Sequence, residues 1–171
     1  MRILTEQEAT IKRLLVGDPC ALTPNKLGDW SLLSISDRPE EAVVDLDKHM
    51  AKLQQYGCSD VLCLFFEDIE SSYGDDAHIF TEEHGIQVLK FLDRNASDDT
   101  IVVQCHAGIS RSGAIGVFAS RYFKLDEDTF KKDNPYIYPN DLVYGVLLKL
   151  SGLTGQYPRW WESRINKNSI W

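Results

Sequence analysis

The chain has 171 residues, of which 43% are hydrophobic and 26% charged, and a formal net charge of −8. That length suits one domain around a single core, and no apolar run comes near the roughly 18 residues needed to span a bilayer. The negative charge argues against a nucleic-acid backbone or an anionic membrane as partner, because the long-range field repels both.

Residues 2–4 read as a short strand, and a helix follows from about Glu6, with Ala9, Ile11, Leu14 and Leu15 on one side and Gly17 as its stop. Acids among the apolar residues of MRILTEQEATIKRLL make this neither a signal peptide nor a transit sequence, so a cytoplasmic protein is expected. A two-proline loop leads to the strand WSLLSIS, Trp30–Ser36, after which Asp37-Arg38-Pro39 punctuates. A helix is predicted over residues 40–56, with Val43, Leu46, Met50 and Leu53 on its apolar face. The run VLCLFF, residues 61–66, is continuously apolar, which predicts a central strand covered on both faces.

A polar loop, residues 67–79, comes next. Thr81 caps a helix running to about Arg94, with Ile86, Leu89, Phe91 and Leu92 as its apolar residues. The stretch IVVQCHAGISRSGAIG, residues 101–116, is a buried strand, a loop of small residues and the start of a helix burying Ala114, Ile115, Val117 and Phe118. Residues 125–133 read as a short helix and NPYIYPN as a rigid loop, and Asn140 caps a last helix to about Leu150. The tail from Pro158 carries Trp160, Trp161, Ile165, Ile170 and Trp171, either docked on the body or forming a partner-binding patch. Strands alternating with helices predict an α/β fold: a three-layer, single-domain sandwich over residues 1–171. Its mostly parallel sheet has about four or five strands, with ligands bound at their carboxyl ends.

The loop after Cys105 carries the chemistry. Amide N–H groups of residues 106–111 can surround a tetrahedral oxyanion, Gly108 lends conformational freedom, and the helix N-terminus points its dipole at the same place. Arg111 closes the ring with a bidentate fork for two phosphate oxygens. The same field stabilises a thiolate, which makes Cys105 a nucleophile, and Ser112 is placed to help the sulfur leave. His106 sits at the rim, either against substrate or solvated.

Cys followed by five residues, Arg and Ser, in the setting CHAGISRSGA, resembles the signature of the cysteine-dependent protein tyrosine phosphatases, nearest to the small dual-specificity-like branch of bacterial and phage type. The resemblance implies hydrolysis of phosphotyrosine, and of phosphoserine or phosphothreonine as well in a dual-specificity enzyme. It implies a phosphocysteine on Cys105, Arg111 and residues 106–110 (His106, Ala107, Gly108, Ile109, Ser110) on the phosphate, and neither metal nor cofactor. It also calls for a general-acid Asp thirty to forty residues before the nucleophile. Asp68, 37 residues before Cys105 and just after the apolar strand, fits, and Asp75 and Asp76 on the same loop are alternatives. The expected partners are a phosphorylated protein or peptide and a phosphate or sulfate ion in the loop, with no nucleic acid and no membrane. One departure is Gln104, where the family has His; a pseudophosphatase that binds without turnover is the alternative it raises, and a phosphatase for non-protein phosphomonoesters is another. Of the four cysteines, Cys20, Cys58, Cys63 and Cys105, all are read as thiols, with Cys63 as an oxidative partner of Cys105 from an adjacent predicted strand.

Overall fold

The structure, a computed structural model, describes residues 1–18, 22–69, 78–153 and 160. Within them four strands, β1 (Arg2–Gln7), β2 (Trp30–Ser36), β3 (Cys58–Phe65) and β4 (Thr100–Cys105), form one sheet in the order β1-β4-β2-β3, all neighbours parallel. Six helices accompany it: α1 (Glu8–Val16), α2 (Leu46–Gln55), α3 (Glu82–Arg94), α4 (Arg111–Tyr122), α5 (Glu127–Asp133) and α6 (Asp141–Ser151). The fold is the expected α/β sandwich.

Side chains alternate along each strand, so the sheet feeds two separate cores. On one face Leu32 and Val102 pack with Ile11 and Leu14 of α1 and Leu53 of α2. On the other, Leu33, Ile101 and Val103 pack with Phe91 of α3, Phe118 of α4 and Leu147 of α6. β2 and β4 are buried along their whole length, which places them at the centre.

Two expectations need correction here. VLCLF of that run belongs to β3, which is an edge strand, and Val61, Leu62 and Cys63 are only half-buried. Continuous apolar character reports that helices cover both faces of a strand; it carries no information on whether a second neighbour pairs with its free edge. Cys63 is therefore not beside Cys105: β2 lies between them, and the two thiols belong to opposite cores. Burial pushes the Cys63 thiol up to about 11 and the Cys58 thiol up to about 12, and Cys58, Cys63 and Cys105 are all free. Cys20 lies outside the described residues.

The helix predicted over residues 40–56 begins later. Pro39–Glu41 forms one 3₁₀ turn, Val43 and Val44 plug into the α1/α2 core from an irregular segment, and α2 starts where Asp45 accepts the Lys48 N–H. Asp45 is the better cap, and it overrode a periodicity that Val43 had appeared to extend. On α3, Ile86 is exposed while Gly85 and Val88 face inward, because the helix packs closely on α6: a Cβ at Gly85 would lie 2.5 Å from Leu150. Trp160 packs, partly buried, against the α3/α4/α6 core with Lys131 Nζ 4.8 Å from its ring, and the other tail aromatics lie outside the described residues.

β1 is the opposite edge, and one buried side chain completes it. Asn134, just after α5, accepts from Thr5 N–H (2.6 Å) and Thr5 Oγ1 (3.0 Å), and its Nδ2 donates to the carbonyls of Ile3 (2.9 Å) and Phe130 (2.8 Å). The amide thus imitates a neighbouring strand for Ile3 and Thr5. Asn134→Ala strands these buried groups, and chemical denaturation should show a loss of about 2–3 kcal/mol. Asn134→Asp, which keeps the acceptor and loses the donor, should also be destabilised.

Candidate active site

Cys105 ends β4, is 2% exposed, and has its Sγ 3.1 Å from Ser112 Oγ in the first turn of α4. The five residues between strand and helix are tied down from outside. His106 C=O accepts from Glu8 N–H (3.1 Å), Ile109 C=O from Tyr138 N–H (3.1 Å) and Ser110 C=O from Asn140 N–H (3.2 Å). In a planar trans peptide the N–H points opposite to the C=O, so the amides of Ala107, Ser110 and Arg111 are turned the other way, to the inside of the loop. Such a nest of inward N–H groups at a helix N-terminus suits an oxyanion. Gly108 is required twice over: its φ is +70°, and a Cβ would lie 2.7 Å from the backbone carbon of Glu6.

Arg111 begins α4 and is 4% exposed. Its Nη1 donates to Asp37, immediately after β2, and to the carbonyl of Phe66, immediately after β3, at 2.7 Å. Its Nε is buried with no partner. A buried guanidinium N–H without an acceptor is costly, and an anion in the loop is the acceptor that removes the cost. Asp37 was read from sequence only as turn punctuation; its place directly after a core strand, like that of Asp68, was the available signal.

Asp68 lies beside the loop. Its Oδ1 accepts from Ser110 Oγ at 2.7 Å and from Asn140 Nδ2 at 2.9 Å, and the carboxyl is otherwise exposed. Asp75 and Asp76 fall outside the described residues. The His106 side chain is 79% exposed and bonds Glu8 Oε2 at 2.9 Å, on the rim. Burial raises the pKa of Glu8, but bonds from Lys12 and His106 outweigh it and hold the carboxyl below its usual range. Gln104 is fully buried and accepts from Ser34 Oγ at 2.6 Å; as the neighbour of Cys105 on a strand it faces the opposite side of the sheet. A cavity of about 370 Å³ adjoins the loop, lined by Glu6, Gly108, Ile109, Asp133 and Tyr136 among others. Among the described residues no group of His, Cys, Asp and Glu is arranged to hold a metal ion.

At the level of sequence no protein-family model and no curated protein matches the chain. Solved structures do. Tk-PTP in its active form is 16% identical, with a TM-score of 0.52 over 90% of this chain and 94% of that one. PTPMT1 in complex with PI(5)P is 13% identical, with a TM-score of 0.51 over 88% of this chain and 90% of that one. The chain has the fold of these small tyrosine-phosphatase-like proteins. At such identities the likeness speaks for the architecture alone, a parallel sheet flanked by helices, while the roles of the side chains rest on their own geometry.

The Arg111–Asp37 pair is testable by phosphate binding. Asp37→Ala should weaken inorganic phosphate about tenfold by calorimetry, because a charge-assisted bond that orients the guanidinium is lost. Asp37→Asn keeps an acceptor oxygen and should retain most of the affinity. Equal losses in both would mean that charge, not orientation, is what Asp37 supplies.

Proposed function

We propose that the chain is a cysteine-dependent phosphatase that hydrolyses phosphotyrosine in proteins or peptides through a phosphocysteine. The observation that carries this reading is the 3.1 Å contact between Cys105 Sγ and Ser112 Oγ in a loop whose Arg111 keeps a buried, unpartnered Nε. The thiolate attacks phosphorus, forming S–P as the P–O bond to the phenol breaks. Arg111 and the amides of residues 106–111 hold the three equatorial oxygens throughout. Asp68, in its protonated form, gives its proton to the departing phenolate. In the second step the Asp68 carboxylate takes a proton from water as the water attacks phosphorus, and Ser112 Oγ donates to the leaving thiolate.

The surroundings favour a peptide over a polyphosphorylated lipid head group. PTPMT1 was solved with PI(5)P, but Glu6 and Asp133 line the cavity beside this loop, and the chain carries −8 overall. A second phosphate or an anionic bilayer meets repulsion there. Gln104, the feature that raised a non-catalytic reading, bonds Ser34 on the far side of β4 and makes no contact with the Cys105 thiol. A catalytic reading therefore stands without the family's histidine.

An aryl phosphate should be turned over with a burst of phenolate, and Cys105→Ser should abolish it. Ser112→Ala should form the phosphoenzyme at a near-normal rate and hydrolyse it slowly, so that phosphocysteine accumulates in rapid-quench experiments. A Cys105→Ser variant that still turns over substrate would overturn the mechanism.

Asp68→Asn should cost on the order of 10²-fold or more for phosphotyrosine, the scale of general acid catalysis, and far less for an aryl phosphate whose phenolate leaves unaided. The same substitution in Asp75 or Asp76 should show no such dependence on the leaving group. If one of them does and Asp68→Asn behaves as wild type, the acid is misassigned.

A further inference from the structure

Asn140 makes more bonds than its position at the start of α6 requires. Its Oδ1 accepts the Val143 N–H at 3.0 Å and caps the helix, a task that Ser, Thr or Asp performs as well. Its Nδ2 donates to Asp68 Oδ1 at 2.9 Å and to the Ile69 carbonyl at 3.4 Å, and its backbone N–H donates to Ser110 C=O at 3.2 Å. The residue is fully buried. Because the Val143 N–H demands an oxygen, the orientation of the amide is decided, and the NH₂ group must face Asp68. Cap acceptor and double donor in one short side chain is a combination only Asn offers; Gln is a methylene too long for the cap.

Resting on the reading of Asp68 as the general acid, we propose that Asn140 is a positioning residue that registers this acid against the phosphate loop, and that Asp68 carries its proton on Oδ2. Two donors, Asn140 Nδ2 and Ser110 Oγ, converge on Oδ1. A carbonyl-type oxygen accepts both bonds well, whereas a protonated oxygen at that position accepts poorly, so the proton resides on the other atom. The exposed carboxyl is thereby reduced from a freely rotating group to one with Oδ2 presented to the leaving oxygen. The bond from Asn140 N–H to Ser110 C=O fixes the same residue to the loop that holds phosphorus, so acid and phosphate share one reference point.

Asn140→Ser and Asn140→Asp both keep the cap and both remove the amide NH₂ that reaches Asp68; only the second adds a negative charge beside it. The melting temperature of each should stay within a few degrees of wild type, the expected result where a cap is retained. With phenyl phosphate, whose leaving group is basic, kcat should fall about tenfold in both, a modest part of the full contribution of a general acid. With p-nitrophenyl phosphate it should change less than about threefold, because that phenolate leaves with little help. Ser110→Ala, which leaves α6 untouched, should reproduce the leaving-group-selective loss and serves if the Asn140 variants fail to fold. Equal losses with the two substrates, or no loss, would overturn the proposal. Should Asp68→Asn itself show no leaving-group dependence, the assignment of the acid falls and the proposal falls with it. A dependence in Asp68→Asn that is missing from the Asn140 and Ser110 variants overturns the positioning role alone.

Discussion

A guanidinium taken almost completely out of water at the edge of a sheet must find its acceptors in the sheet itself. Arg111 follows β4 in the chain but takes its bonds from Asp37, after β2, and from the Phe66 carbonyl, after β3. The order β4-β2-β3 is therefore more than topology: it lines up three carboxyl ends so that one side chain crosses them. Burying a cation costs several kcal/mol unless it is paired and hydrogen-bonded, and here Nη1 meets both conditions while Nε meets neither. The imbalance is what suits the loop to the anion that the proposed function calls for. A fully satisfied arginine would be structural, and a solvated one would bind weakly.

The loop's own shape depends on parts of the chain remote from it in sequence. Gly108 lies on the backbone of β1, His106 is bonded by the first residue of α1, and the carbonyls of Ile109 and Ser110 are bonded by the segment before α6. Each of those bonds turns a carbonyl out and hence an amide in. The nest is thus imposed from both ends of the fold, and it is preorganised for the phosphate of the proposed function. Asn134 and Asn140 bracket this segment: the first fastens it to the edge strand β1, the second to the loop bearing Asp68.

Local sequence reading succeeded where a local cause operates. Trp30–Ser36 was bounded correctly by turn residues, and the start of α6 by the Asn140 cap. The approach of Ser112 to Cys105 was legible because one turn of helix separates them from a common loop. What escaped was pairing order. A parallel strand's apolar run is the same at an edge as at the centre, so β3 was misplaced, and with it the supposed adjacency of Cys63 and Cys105. Asp37 escaped for a related reason: its partner is 74 residues away, and nothing in DRP marks the aspartate as more than a turn residue. The late start of α2 is a contest between two local signals, periodicity and capping, that sequence alone does not weigh.

Charge distribution reconciles an acidic protein with the phosphate binding proposed for its loop. The −8 of the chain is spread over an exposed surface where screening acts within about 8–10 Å in physiological salt. Arg111 sits where it does not, and its field, with the inward amides and the dipole of α4, acts over a few ångströms on one bound group. On the rim His106 bonds to Glu8, which sets a carboxylate against that exposed imidazole. On the proposed function, a monoester at the loop meets these short-range groups first, and the net negative charge of the chain acts on it only through screened, longer-range fields.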